Sequence, residues 1–330
     1  MRTQYLILFS ILSLFLALFF YQQVQESKKT TSSLDFKQGM SSATTSGRGL
    51  KAIVVGSTGL VGKNVVRVLS QQNPQEYAKI VAISRRKDNP FNYETSVPIE
   101  HITLDSLDNL DQISDVFNEV DEAYCCLGTT IKRVGNDKQK FRHVDFDYPD
   151  SFANLVYKSF TNAAQNTSEN LKQFFLVTST GADSSSMFFY NQVKGDIEKS
   201  VAQKQLDYQQ FTQGKSLNQS SYCHIIKPGL LIGERENDER FGEKVAQNLN
   251  NLLSWALPRS VSGIKGEEVA KAMLQIAATT RQQKLDLLKE RDSHSSVGGV
   301  DQATRFTNRI FAHGNANLKD YSDEYDLTRK

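Results

Sequence analysis

A serine, a tyrosine and a lysine follow one another along the chain in an order that can serve one reaction. Tyr190-Asn-Gln-Val-Lys194 sets a phenol and an ammonium one helical turn apart, so both project from the same helix face. A free tyrosine titrates near pH 10 and is a poor base at neutral pH, whereas a neighbouring ammonium favours the phenolate. Such a tyrosine can pass a proton to or from a substrate oxygen while a hydride moves at the adjacent carbon. Ser179 closes the apolar run Phe174-Phe-Leu-Val-Thr-Ser179 and is placed to hydrogen-bond that same oxygen; Lys194 can also hold a nicotinamide ribose. In a chain with 12 tyrosines a Tyr-x-x-x-Lys spacing alone says little. Its weight comes from the order: a glycine turn, then the strand with Ser179, then Tyr190 and Lys194.

The glycine turn is Lys51-Ala-Ile-Val-Val-Gly56-Ser57-Thr58-Gly59-Leu60-Val61-Gly62, followed by helical periodicity through Val65, Val66, Val68 and Leu69. It reads as strand, turn and helix. Gly56 makes the tight turn, Gly59 lets backbone approach a pyrophosphate, and Gly62 allows close packing at the helix start, whose N–H groups face the anion. Residues 56–62 are therefore assigned to a dinucleotide. The second strand, Lys79 to Ser84, runs into Arg85-Arg86. An NAD site usually places a carboxylate there to accept from ribose hydroxyls; two guanidinium groups suit a 2′-phosphate, so NADP(H) is expected over NAD(H).

The remaining elements follow by pattern. Ile99 to Leu104 is a third strand and Leu110 to Asn118 a short helix. Glu122 to Leu127 is a fourth strand whose exit, Leu127-Gly128-Thr129, passes the cofactor. Asp145 to Gln165 reads as one long helix with Phe146, Phe152, Leu155, Val156 and Phe160 inward. Gln192 to Gln205 is the helix carrying Lys194, and Tyr222 to Ile226 is a strand ended by Pro228-Gly229, also assigned to the cofactor. Glu267 to Thr280 is an amphipathic helix, Arg309 to His313 the last strand, and Asn315 the cap of a closing helix. Residues 203–221 and 290–304, polar and aperiodic, read as disordered insertions. The fold expected is α/β: a Rossmann-like, doubly wound parallel sheet with flanking helices over residues 50–330, including a small C-terminal substrate region.

A net charge of +2 over 330 residues gives no reason to expect nucleic acid. The three cysteines form neither a disulfide framework nor a metal site, and the acidic run Glu234 to Glu239 reads as a solvated loop, so no metal is expected. His143 and His224 show no neighbouring carboxylate and nucleophile in a recognisable arrangement, and read as satisfied or surface side chains. Residues 1–26 hold the uncharged run Tyr5 to Tyr21, which at about 1.5 Å per residue reaches roughly 25 Å, near the lower limit for a bilayer span. Bulky residues follow Ala17 where a small-x-small cleavage site would fall, which favours a membrane anchor over a cleaved signal peptide. Residues 27–49 then form a flexible linker. The domain is expected on the cytosolic side of the mitochondrial outer membrane or endoplasmic reticulum. The glycosylation-like triplets at Asn166 and Asn218 stand for the alternative, a secretory route.

The set Gly56-Ser-Thr-Gly-Leu-Val-Gly62, Ser84-Arg85-Arg86, Cys126-Leu-Gly-Thr-Thr130, Val144-Asp-Phe-Asp-Tyr148, Thr178-Ser-Thr-Gly-Ala182, Tyr190 to Gly195 and Lys227-Pro-Gly-Leu-Leu-Ile-Gly-Glu-Arg235 resembles the atypical short-chain dehydrogenase/reductases. Within them the chain resembles the Tat-interacting oxidoreductase family with its fungal mitochondrial outer-membrane relatives, over roughly residues 50–280. The resemblance implies a Rossmann fold, NADPH binding and a Ser, Tyr and Lys site at Ser179, Tyr190 and Lys194. The Ser-to-Tyr interval is shorter than in most short-chain dehydrogenases. Two functions follow: an NADPH-dependent oxidoreductase acting on a carbonyl or alcohol, its pocket closed by the segment after Gly233, or an NADPH-binding regulator acting through a protein partner with little catalysis.

Overall fold

The structure is a computed structural model, and it describes residues 48–165, 171–213, 220–233, 262–294 and 309–329. All of these belong to the unit Ser41–Lys330. The expected anchor at Tyr5 to Tyr21, nearly all of the linker, the triplets at Asn166 and Asn218 and the run Glu234 to Glu239 lie outside the described residues. Among the described residues no helix is long and apolar enough to cross a membrane.

Seven parallel strands make the main sheet: β1 (Leu50–Val55), β2 (Tyr77–Ser84), β3 (Ile99–Thr103), β4 (Glu122–Cys125), β5 (Lys172–Val177), β6 (Ser221–Lys227) and β9 (Ile310–Gly314), in the order β3-β2-β1-β4-β5-β6-β9. Both faces are covered, so the strands are continuous apolar runs whose alternate side chains enter two cores. Ala52 and Val54 join the core under α1 (Gly62–Ser70), α5 (Gly266–His294) and α6 (Asn315–Thr328). Ile53 and Val55 join the other, under a 3₁₀ segment (Leu107–Phe117), α3 (Tyr148–Gln165) and α4 (Phe189–Thr212). Leu231–Ile232 (β7) and Ile264–Lys265 (β8) pair as a separate two-stranded sheet.

Strand order reverses at β1 and β4, so a crevice opens beyond their carboxyl ends, where open α/β sheets hold ligands. The glycine turn, Gly128 and Ser179 all lie just past strands at this edge.

Four expectations differ. The helix read from Asp145 is preceded by α2 (Lys138–Arg142) and begins in a π-helical turn, His143–Asp147. Pro149 has no N–H for the Asp145 carbonyl, and the chain widens there. Helix α4 runs to Thr212, so residues 203–212 are helical and not a disordered insertion; its buried positions Val201, Gln205, Tyr208 and Thr212 keep helical spacing with mostly polar side chains. Helix α5 continues to His294, into the segment read as the second insertion. Asn315 is not a cap: Gly314 occupies that position, and the buried Asn315 side chain accepts from Gly229 N–H (2.8 Å) and donates to the Ser262 carbonyl (2.7 Å).

Candidate active site

Gly56 turns the chain off β1 at φ +72°, a conformation open to glycine. A Cβ on Gly62 would collide with the Gly56 carbonyl, so the helix start folds onto the turn with no room for a side chain. Ser57 is buried and donates its hydroxyl to Ile83 O (2.9 Å), locking the turn to β2; Leu60 and Val61 are buried too. At the end of β2, Arg85 is exposed and Arg86 half-buried, its Nε 3.6 Å from Asp88 Oδ1. A cavity of about 420 Å³ opens beside them, lined by Lys87, Thr103, Leu104, Asp105, Asn109 and Gln112. It lies at the carboxyl end of the edge strand β3, the distal part of this side of the sheet, and its lining includes neither Tyr190 nor Lys194.

At the other end, Tyr190 sits in the first turn of α4, 37% exposed, its ring 5.5 Å from that of Phe141. Lys194, one turn on, is buried, with Nζ 2.7 Å from Asp145 Oδ1. Burial alone would lower the Lys194 pKa, but the Asp145 carboxylate and Tyr190 outweigh it and leave it raised, so the ammonium stays charged. Asp145 Oδ2 also accepts from Thr129 N–H (3.0 Å), and a Cβ on Gly128 would lie 3.4 Å from Lys194 Nζ. One carboxylate thus fastens the loop after β4 to the lysine of α4. Ser179 Oγ, two residues past β5, is buried with no hydrogen-bond partner among the described residues.

Next to it, Thr178 Oγ1 donates to Glu198 Oε1 (2.6 Å) and Lys227 Nζ pairs with Glu198 Oε2 (3.0 Å). Burial raises the Glu198 pKa against the opposing pull of Lys227. Pro228 O accepts from Thr180 N–H (2.9 Å), while Gly229 N–H is taken by Asn315. Gly229 therefore offers no free N–H to a ligand.

Asp145 and Lys227 stand in the motifs quoted above with no role given to them, and Glu198 in none. The signal for Asp145 was Pro149, which disturbs the helix at that carbonyl. His143 does have carboxylates beside it: Nε2 lies 2.9 Å from Asp108 Oδ1 and Nδ1 2.9 Å from Asp147 Oδ2, a partly exposed cluster. Among the described residues no group of three or more His, Cys, Asp or Glu could hold a metal. The Cys125 and Cys223 thiols are pushed up to about 12 by burial, which leaves them unreactive.

A nicotinamide dinucleotide fits this edge: a glycine turn at a helix start, guanidinium groups at the end of β2, and an ammonium against Gly128. Residues 52–159 match the NAD dependent epimerase/dehydratase family. HTATIP2 of Rattus norvegicus is 30% identical over 240 residues, 72% of this chain and 85% of the rat protein. The mitochondrial protein FMP52 of Saccharomyces cerevisiae is 28% identical over 252 residues, 74% of this chain and 94% of the yeast protein. A short chain dehydrogenase of Leptospira borgpetersenii with bound NAD+ shares the fold at TM-score 0.51 and 10% identity, covering 82% of this chain and 93% of that one. With that identity over most of the rat protein, the chain belongs to the family of HTATIP2 and FMP52, NAD(P)-binding atypical short-chain dehydrogenase/reductases.

Proposed function

We propose that the protein is an NADPH-dependent oxidoreductase that interconverts a carbonyl and an alcohol, with Ser179, Tyr190 and Lys194 as its catalytic residues. The observation that carries this reading is the buried Lys194–Asp145 pair, which holds a charged ammonium one helical turn from Tyr190; the unpartnered Ser179 hydroxyl past β5 supports it. The cofactor, when bound, supplies a hydride to the carbonyl carbon and is itself oxidised. Tyr190 donates its phenolic proton to the carbonyl oxygen, and the new C–H and O–H bonds complete the alcohol. Ser179 donates a hydrogen bond to that oxygen. Lys194 stabilises the charge left on Tyr190, and solvent returns the proton. Arg85 and Arg86 supply the preference for a 2′-phosphate.

Tyr190→Phe tests this directly. Turnover of a carbonyl panel should fall about 10²–10⁴-fold, the usual worth of a positioned acid or base, with NADPH affinity retained. An unchanged rate removes Tyr190 from the reaction. We further propose that Tyr5 to Tyr21 stays on the mature chain as a membrane anchor with the domain facing the cytosol, in keeping with the mitochondrial designation of the fungal relatives. In a protease-protection assay on intact organelles the domain should be digested; glycans on Asn166 or Asn218 would refute it.

A further inference from the structure

Met187 and Phe188, just before Tyr190, are 96% and 71% exposed. They do not hang on a loose loop. Asp183 Oδ1 accepts from the Ser185 N–H (2.8 Å) and hydroxyl (2.7 Å), Ser186 N–H donates to Asp183 O (3.0 Å), and Phe188 N–H donates to Ser186 Oγ (3.2 Å). Asp183 N–H reaches onto α4 at Asn191 O (3.0 Å), and at Gly195 the turn lies so close that a Cβ would run into Ser184 and Asp183. A turn clamped to the helix therefore holds two large apolar side chains out in water, forgoing the burial such groups normally obtain.

On α2, the Phe141 ring lies 5.5 Å from that of Tyr190 and 5.8 Å from that of Phe189. Phe141 of α2 thus adjoins the phenol, and the exposed Met187 and Phe188 precede it in the chain by three and two residues. A reacting oxygen must come within about 2.6–3.2 Å of the Tyr190 hydroxyl. The groups attached to the reacting carbon then extend over the residues next to Tyr190.

We propose that the substrate is a carbonyl or alcohol bearing an extended apolar chain, and that Met187 and Phe188 form the lip on which the chain lies. This rests on the reading of Tyr190 as the proton donor, and the test separates the two. Primary alkanamides from butanamide to dodecanamide present a carbonyl oxygen that NADPH does not reduce. Their affinities are measured by titration calorimetry on the full chain in detergent, saturated with NADPH, beside the M187S/F188S double variant and a control, Leu206→Ser, which changes a leucine 47% exposed further along α4.

Affinity for the wild type should rise roughly twofold or more per added methylene, as expected for a chain about half-buried on the lip. The double variant should flatten that dependence; the control, in the same detergent, should keep it. No dependence on chain length, or the same dependence in the double variant, overturns the proposal. If the amides behave as expected but no aldehyde of any length is reduced, the apolar site stands and the oxidoreductase reading falls. If short aldehydes are reduced through Tyr190 with no effect of chain length, the reading stands and the lip is refuted.

Discussion

Two buried groups of charge lie at opposite ends of the same sheet, and they differ in what they leave unsatisfied. At the amino ends of the strands, Glu122 is fully buried and accepts from Tyr77 OH (2.7 Å), Tyr124 OH (2.6 Å) and Gln173 Nε2 (3.1 Å) while pairing with Arg281. Arg281 also binds Glu76 (2.6 Å). Every one of these contacts is internal. At the carboxyl ends, the Lys194–Asp145 pair is as deeply buried, yet Ser179 Oγ, past the end of β5, has no partner among the described residues and Tyr190 stays partly exposed. Buried polar groups normally find a partner in the protein or in ordered water, and a donor left over at a strand end is one the proposed reaction could use. The first group is closed on itself; the second leaves a donor for the substrate oxygen of the proposed reaction.

The largest effect that would sharpen this contrast is on stability. Arg281→Met leaves Glu122 charged and buried without its cation, which costs about 3–5 kcal/mol. The urea midpoint should drop accordingly while the NADPH dissociation constant of the folded protein holds. Tyr190→Phe should do the opposite, losing turnover at unchanged midpoint. A cofactor defect in Arg281→Met out of proportion to its instability would show that the two ends are not separate.

A smaller effect divides the carboxyl edge itself. Loss of a charge-assisted hydrogen bond costs about 1.5–3 kcal/mol. Replacing Arg85 and Arg86 together with alanine should therefore weaken NADPH by at least tenfold and leave NADH nearly unchanged, read by fluorescence titration of both cofactors. Equal weakening would make the arginines surface charges and the distal crevice indifferent to a 2′-phosphate.

What was legible in the sequence was local. The glycine turn, the parallel strands and the pairing of Tyr190 with Lys194 are written in neighbouring residues, through apolar runs and the helical repeat. Asp145 was not legible as Lys194's partner, because their contact joins two helices brought together only by β4 and β5. The end of α4 was missed for another reason: Gln205 and Thr212 keep its buried face with polar side chains, Gln205 bonding to Ser221 O (2.9 Å) and Tyr157 OH (3.0 Å), so hydropathy carries no repeat there. Asn315 misled because a helix-start asparagine suggests a local cap, while its partners Gly229 and Ser262 come from distant loops.

The smallest expected effect is a response to acid confined to the structural face. His224 Nδ1 and His313 Nε2 are 3.2 Å apart on the paired strands β6 and β9, with His224 Nε2 3.2 Å from Gln173 Oε1, so the histidines connect through Gln173 to Glu122. Burial pushes His313 down to about 4, and burial together with His313 lowers His224 well below its ordinary value. The folded state therefore favours neutral rings. As pH falls below about 6.5, the unfolded chain takes up protons that the folded chain refuses, so stability is full above that value and is lost toward pH 4. From pH 7 to 5.5 the His313 contribution amounts to about 1 kcal/mol, visible as a lower urea midpoint. His313→Asn should shrink that pH difference, and NADPH affinity should show no matching change. A midpoint equally sensitive to acid in the variant would mean that the histidine pair is not the titrating group, and an NADPH affinity that followed it would tie the carboxyl edge to the structural face.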